Sequence, residues 1–426
     1  MDQAVAIAIF AVSLGLIFTE WLHRVVVAIA GAIAMLVAGL LMGFYAEQQA
    51  LESVDFTTIL LLLGMMIVVS IFEPTGFFEY LALQAGRLSG GRPFLLFILL
   101  GAVTTVLSMF LDNVTTVVVI APVTLVIARV LSLPAAPLLM AEAMLSNVGG
   151  VATLVGDPPN ILIGSAAHLT FVDFLSHALP VIIVAWLAAT LLLWVSLRGR
   201  LRSDGQQEGA QELHPRDALR QPRQAVMLLL VLALAGLLFL LQDTLDLDPA
   251  VIALGAAGLA LLLVRPDVDA TLARVEWSVL IFFSALFVMV GGLEASGVLD
   301  QVAEVLAGLG SLDPVVLGVV IIWSVAALSA VVDNVPITIV VIPVIAGLGA
   351  SGVDIGPVWW ALAFGAGLGG NATVIGATAN IVVVTQAERA GQAISSRQWF
   401  RLGIPVTILT CAIASAGYVI AASFLW

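Results

Sequence analysis

Gly149-Gly150-Val151-Ala152-Thr153-Leu154-Val155-Gly156-Asp157-Pro158-Pro159-Asn160-Ile161 interrupts an apolar run with glycines, prolines, a hydroxyl, a carboxylate and an amide. The stretch returns 220 positions later as Gly369-Gly370-Asn371-Ala372-Thr373-Val374-Ile375-Gly376-Ala377-Thr378-Ala379-Asn380-Ile381, identical at seven of thirteen positions. Upstream of each copy stands a second duplicated motif. Asp112-Asn113-Val114 with Pro122-Val123 recurs 221 positions on as Asp333-Asn334-Val335 with Pro343-Val344. The repeat extends further at the same offset of 221, Val54 to Gly76 aligning with Val275 to Gly297 and matching Glu73 to Glu294.

The surroundings of these motifs set the class. With 62% apolar and 10% charged residues and a mean hydropathy of +1.17, the 426-residue chain is excluded from ordinary soluble domains. Tandem apolar runs of helical length also exclude an outer-membrane barrel, whose segments are about ten residues long and alternate in polarity. The fold class is an all-α polytopic membrane protein. Arginine supplies all 15 basic residues and the net charge is −13, which argues against nucleic acid as a partner. Cys411 is the single cysteine, and His23, His168, His177 and His214 lack metal-ligand spacing, so no disulfide, metal site or cofactor is expected.

Apolar runs at 4–20, 25–44, 56–73, 177–197, 225–241, 249–264, 275–293 and 402–425 read as plain crossings, the first as a retained helix. Four further stretches are interrupted. Residues 93–131 and 314–350 read as re-entrant hairpins; 138–168 and 357–388 read as crossing helices unwound in the middle. Ten crossings result, five per half, and an odd number turns the second half upside down: inverted repeats at 1–197 and 225–426. This topology puts all 15 arginines on one face, which is then cytoplasmic, with both termini outside. Residues 198–224, polar and rich in arginine, read as a flexible cytoplasmic linker, while 76–86 and 297–308 read as amphipathic interfacial helices. The expected location is a bacterial inner membrane.

Breakers and polar groups in hydrocarbon-soluble sequence are costly, and a duplicated set of them is the pattern of a secondary transporter with its site between two repeats. Asp112, Asn113, Thr115 and Thr116 at one hairpin tip, and Asp333 and Asn334 at the other, provide partners for exposed backbone or coordinate an ion. Half-helix starts favour anions, and unwound carbonyls and carboxylates favour Na+ or H+. Gly149, Gly150, Gly369 and Gly370 permit unwinding; Thr153, Thr373 and Thr378 offer hydroxyls; Asn147, Asn160, Asn371 and Asn380 bridge ligand and backbone. A charged Asp at mid-membrane needs a cation, a proton or a polar partner, so Asp112 and Asp333 are read as coupling groups. Glu142 and Asp157 face Leu362 and Ala377 across the duplication, and these asymmetric acids are also proton-coupling candidates. Asp157 has an alternative role as the cap of a half-helix starting at Pro158. Glu73 and Glu294, near span ends, are read as solvated or interfacial.

Phe110-Leu111-Asp112-Asn113-Val114-Thr115-Thr116, with Ala121-Pro122-Val123-Thr124 and the two glycine-rich segments, resembles the ArsB/NhaD branch of the ion transporter superfamily, near the P protein group. More distantly the chain is similar to the divalent-anion/sodium symporters, with Asp-Asn in place of their Ser-Asn at both tips. The resemblance implies a homodimer and an elevator-like motion of hairpins and broken helices against a scaffold.

The expected function is secondary active transport of a small inorganic or carboxylate anion coupled to Na+ or H+, not enzymatic catalysis. The alternatives are Na+/H+ antiport and arsenite or antimonite export. A channel and an intramembrane aspartyl protease are remoter rivals. The protease would need Gly-x-Gly-Asp, and Leu154 stands where its first glycine belongs.

Overall fold

The computed structural model describes residues 1–19, 22–201, 209–299, 301, 313–350 and 352–424. Among them every regular element is helical. The first half comprises α1 (Asp2–Thr19), α2 (Arg24–Met42), α3 (Phe56–Phe72), α4 (Phe77–Leu88), α5 (Pro93–Ser108), α6 (Asn113–Val130), α7 (Ala135–Gly150), α8 (Pro158–Ala167) and α9 (Leu179–Leu197). The second comprises α10 (Pro222–Leu240), α11 (Pro249–Val264), α12 (Trp277–Ala295), α13 (Pro314–Ser329), α14 (Asn334–Ala350), α15 (Gly356–Gly369), α16 (Thr378–Arg389) and α17 (Ser396–Phe424), short connecting turns aside. Seven of the described helices have the length and apolarity to cross a membrane, and five more are apolar but shorter.

The breakers explain where the helices stop. Asp112 starts α6 as its N-cap, with one carboxylate oxygen accepting from the Thr115 backbone N–H at 2.8 Å and the other from the Thr115 hydroxyl at 2.5 Å. α7 ends at Gly150 and the chain resumes helix at Pro158, where a missing N–H costs nothing; α15 ends at Gly369 and resumes at Thr378. Small residues let the arms approach closely. A Cβ on Gly149 would lie 2.9 Å from the Thr105 carbonyl of α5, and one on Gly369 would lie 2.6 Å from Ala326 of α13.

Each hairpin tip is fastened to its own unwound segment by the same bonds in both halves. Thr153 donates to the Met109 carbonyl and Thr373 to the Ala330 carbonyl, each at 2.5 Å. Asn160 donates to the carbonyls of Gly150 and Thr153 at 3.0 and 2.8 Å; Asn380 donates to those of Gly370 and Thr373 at 2.8 and 2.9 Å. These bonds satisfy carbonyls that unwinding would otherwise strand in an apolar interior.

The halves interlock reciprocally. α6 packs on α16 as α14 packs on α8, and α3 packs on α11 as α2 packs on α12. The hairpins and broken helices thus form a centre framed by the remaining long helices.

The linker departs from its expected flexibility over 209–221. The Gln221 N–H donates to the Thr75 carbonyl at 3.2 Å, Arg220 pairs with Glu79 at 3.8 Å, and Ala210 and Leu213 are buried. Leu213 fills the gap beside Gly86 and Ile127, and the segment docks on α4. Residues 202–208, and most of the expected interfacial helix at 297–308, lie outside the described residues.

Candidate functional site

A cavity of about 320 Å³ opens where the two hairpin tips and the two half-helix starts meet. Asp112, Asn113 and Thr115 reach it from the first tip, Asp333 and Asn334 from the second, and Asp157 and Thr378 from the starts of α8 and α16. Seven residues singled out by the duplicated motifs therefore converge on one volume.

The two hairpin aspartates are held differently because the duplication has drifted around them. Thr115 corresponds to Pro336, which offers Asp333 no hydroxyl, and Pro158 corresponds to Thr378, which does. Asp333 accordingly accepts from the Thr378 hydroxyl at 2.5 Å and faces the Arg24 guanidinium at 3.4 Å.

Asp157 has the backbone of an N-cap but makes no capping bond, so the capping alternative is corrected. Its carboxylate instead accepts from the Asn334 amide of the opposite half at 2.9 Å. It is 1% exposed and feels the charges of both Asp333 and Asp112. Three carboxylates so placed need compensation by a cation or a proton.

Behind the cavity lies a buried amide cluster joining the halves. Asn113 donates to Asn147 at 3.0 Å, and Asn147 donates to Asn371 at 2.9 Å and to Asn380 at 3.0 Å. Asn371 donates to the Met144 carbonyl at 3.2 Å. The symmetry then fails in one atom: Asn380 Oδ1 is satisfied by Asn147, whereas Asn160 Oδ1 is buried without a hydrogen-bond partner. Asn147→Ala removes three bonds of this cluster and is expected to lower stability by about 3 kcal/mol, read as a fall in the thermal unfolding midpoint of purified protein.

Other expected site residues stand apart from the cavity. Thr153 and Thr373 clasp the tips through backbone carbonyls, and Gly149, Gly150, Gly369 and Gly370 serve close packing. The Thr116 hydroxyl is buried with no hydrogen-bond partner. Glu142, 2% exposed, accepts from the Thr124 hydroxyl at 2.6 Å, while its second oxygen has no partner.

Four charged lining residues were missing from the sequence-based set: Arg24, Glu73, Arg274 and Glu276. Glu73, at the end of α3, lines the cavity. Glu276 lies 221 positions after Asp55, so an acid at both copies was a readable signal. Nothing in the duplication marks Arg24 or Arg274.

The family model described as citrate transporter, CitMHS, matches residues 14–365. The chain is 36% identical over 419 residues to a 46 kDa membrane protein of Mycobacterium leprae, spanning 97% of each. It is 37% identical over 429 residues to an uncharacterized transporter of Mycobacterium tuberculosis, covering 99% of this chain and 98% of that one. Human P protein is 33% identical over 491 residues, which include 96% of this chain and 59% of that longer protein. Among solved structures, the YdaH transporter of Alcanivorax borkumensis superposes with a TM-score of 0.59 at 17% identity, covering 87% of this chain and 86% of that one.

Proposed function

Since the chain belongs to the citrate transporter family CitMHS, we propose that it is a secondary active transporter carrying a small inorganic or carboxylate anion across the membrane with Na+ or H+. One observation carries this reading: aspartates from both halves share a cavity on which the starts of α6, α8, α14 and α16 converge. Helix N-termini attract an anion, and the carboxylates repel it until a cation or proton compensates them. Binding of one species therefore favours the other, and that linkage is what coupling requires.

Arg24 and Arg274 also line the cavity. Both belong to the arginine-rich face, which the positive-inside rule makes cytoplasmic, so we read the cavity as reached from that side. Transport then requires the hairpins and broken helices to shift as a unit against the surrounding helices and reopen outside. Pairing of two copies through the framework suits such a motion.

The charge balance favours a second reading. Around the cavity Glu73, Asp112, Asp157, Glu276 and Asp333 outnumber Arg24 and Arg274, an arrangement suited to Na+/H+ antiport with no anion bound. Reconstituted vesicles separate the two. With citrate, phosphate, sulfate or arsenite offered in turn, cation-driven uptake of one of them is the expected result. A Na+-driven pH change that needs none of them would reject anion coupling.

A further inference from the structure

The two hairpin aspartates are equivalent by duplication, yet a cation from the framework reaches only one of them. Arg24 is the first residue of α2, a helix packed on α1 and α12, whereas Asp333 belongs to the second hairpin tip and Thr378 to the start of α16. Arg24 Nη1 stands 3.4 Å from Asp333 Oδ2 and 3.3 Å from the Thr378 hydroxyl, which donates to the same Oδ2 at 2.5 Å. The guanidinium is seated over the Phe282 ring of α12, 5.6 Å from its centroid. The corresponding place in the second half, 245–249, reads Leu-Asp-Leu-Asp-Pro and supplies no arginine for Asp112. Asp112 instead accepts hydrogen bonds from the backbone N–H and hydroxyl of Thr115 on its own helix.

We propose that Arg24 is the resident counter-ion of Asp333: it occupies from the framework the place taken by the coupling cation, and cation binding displaces it. This rests on the cation-coupled reading above and adds the residue that competes with the cation. A tight charge-assisted bond is about 2.7–2.9 Å long, and Arg24 stands outside that range, 3.4 Å from Asp333. Once displaced, the guanidinium remains tethered to α2 beside the cavity, where it meets an entering anion. The pair also ties the second hairpin to the framework.

Glu73, Asp112, Asp157, Glu276 and Arg274 face the same cavity, so acid affects several groups at once. Na+ at constant pH is therefore the first probe and pH the second. Purified protein in detergent is titrated with NaCl against choline chloride at constant ionic strength, then with pH at constant salt. The thermal unfolding midpoint reports occupancy, since a species bound only to the folded state raises it. An opposite charge within about 4–6 Å is worth about one to three pH units. Arg24→Gln is therefore expected to lower the half-saturating Na+ concentration about tenfold or, with H+ as the coupling ion, to move the protonation-linked stabilisation about one unit higher in pH. Phe282→Leu keeps the charge and removes its seat, so it is expected to shift the midpoint the same way by about threefold. That variant decides the matter if Arg24→Gln does not fold. Midpoints equal to wild type in the folded variants overturn the proposal. A wild type and variants alike insensitive to Na+ and to pH would instead overturn cation coupling itself, and the counter-ion role with it.

Discussion

Asp157→Asn is expected to give a folded protein whose transport has lost its dependence on Na+ and pH, with its rate at saturating cation reduced about 10- to 100-fold. The substitution is isosteric, and the asparagine carbonyl can still accept from Asn334, so the contact between the halves survives. What disappears is the negative charge, and a charge-assisted interaction is worth about 1.5–3 kcal/mol, which sets the expected range of rate. Asp157→Ala reproduces the residue found at Ala377 and also strands the Asn334 amide, adding a stability loss of about 1–3 kcal/mol. Initial uptake rates against cation concentration, with thermal unfolding as the folding control, separate the two effects. An unchanged cation dependence in Asp157→Asn would remove this carboxylate from coupling.

Gly369→Val is expected to cost about 3 kcal/mol or more, seen as loss of the monodisperse peak on size exclusion or a large fall in unfolding midpoint. Even a bare Cβ would stand 2.6 Å from both the Cα and the carbonyl oxygen of Ala326, and backbone in a packed helix cannot step aside as a flexible side chain can. The clash falls where α15 crosses α13, the contact that places the second hairpin tip against its unwound segment. Gly236→Val is the control, because nothing lies within 4 Å of a Cβ there. Equal behaviour of the two variants would show that the close crossing does not support the fold.

The helix order was legible because membrane helices must satisfy their own backbone, so breakers inside apolar runs mark where that rule is locally broken. Duplication then made the marks readable: a lone Asn in a membrane helix says little, but Asn160 and Asn380 recur and make the same pair of carbonyl bonds. Residues whose partners lie far off in the chain were not legible. Asp157 and Asn334 are 177 positions apart and Arg24 and Asp333 are 309 apart, distances over which no local periodicity informs. Glu73 sits at a helix end, where composition does not distinguish a wetted cavity from a membrane surface. The docking of 209–221 was hidden for a related reason, since its polar composition describes the side facing water and says nothing of Ala210 and Leu213 beneath.

Transient current on a solid-supported membrane tests the central claim most directly, that anion movement through this cavity is tied to a cation held by its aspartates. Rapid addition of the transported anion to wild-type proteoliposomes is expected to produce charge movement only with Na+ present or at acid pH, and Asp157→Asn is expected to lack that dependence. The same transient current in choline at alkaline pH, unchanged in Asp157→Asn, would contradict coupled transport and describe a passive conductor.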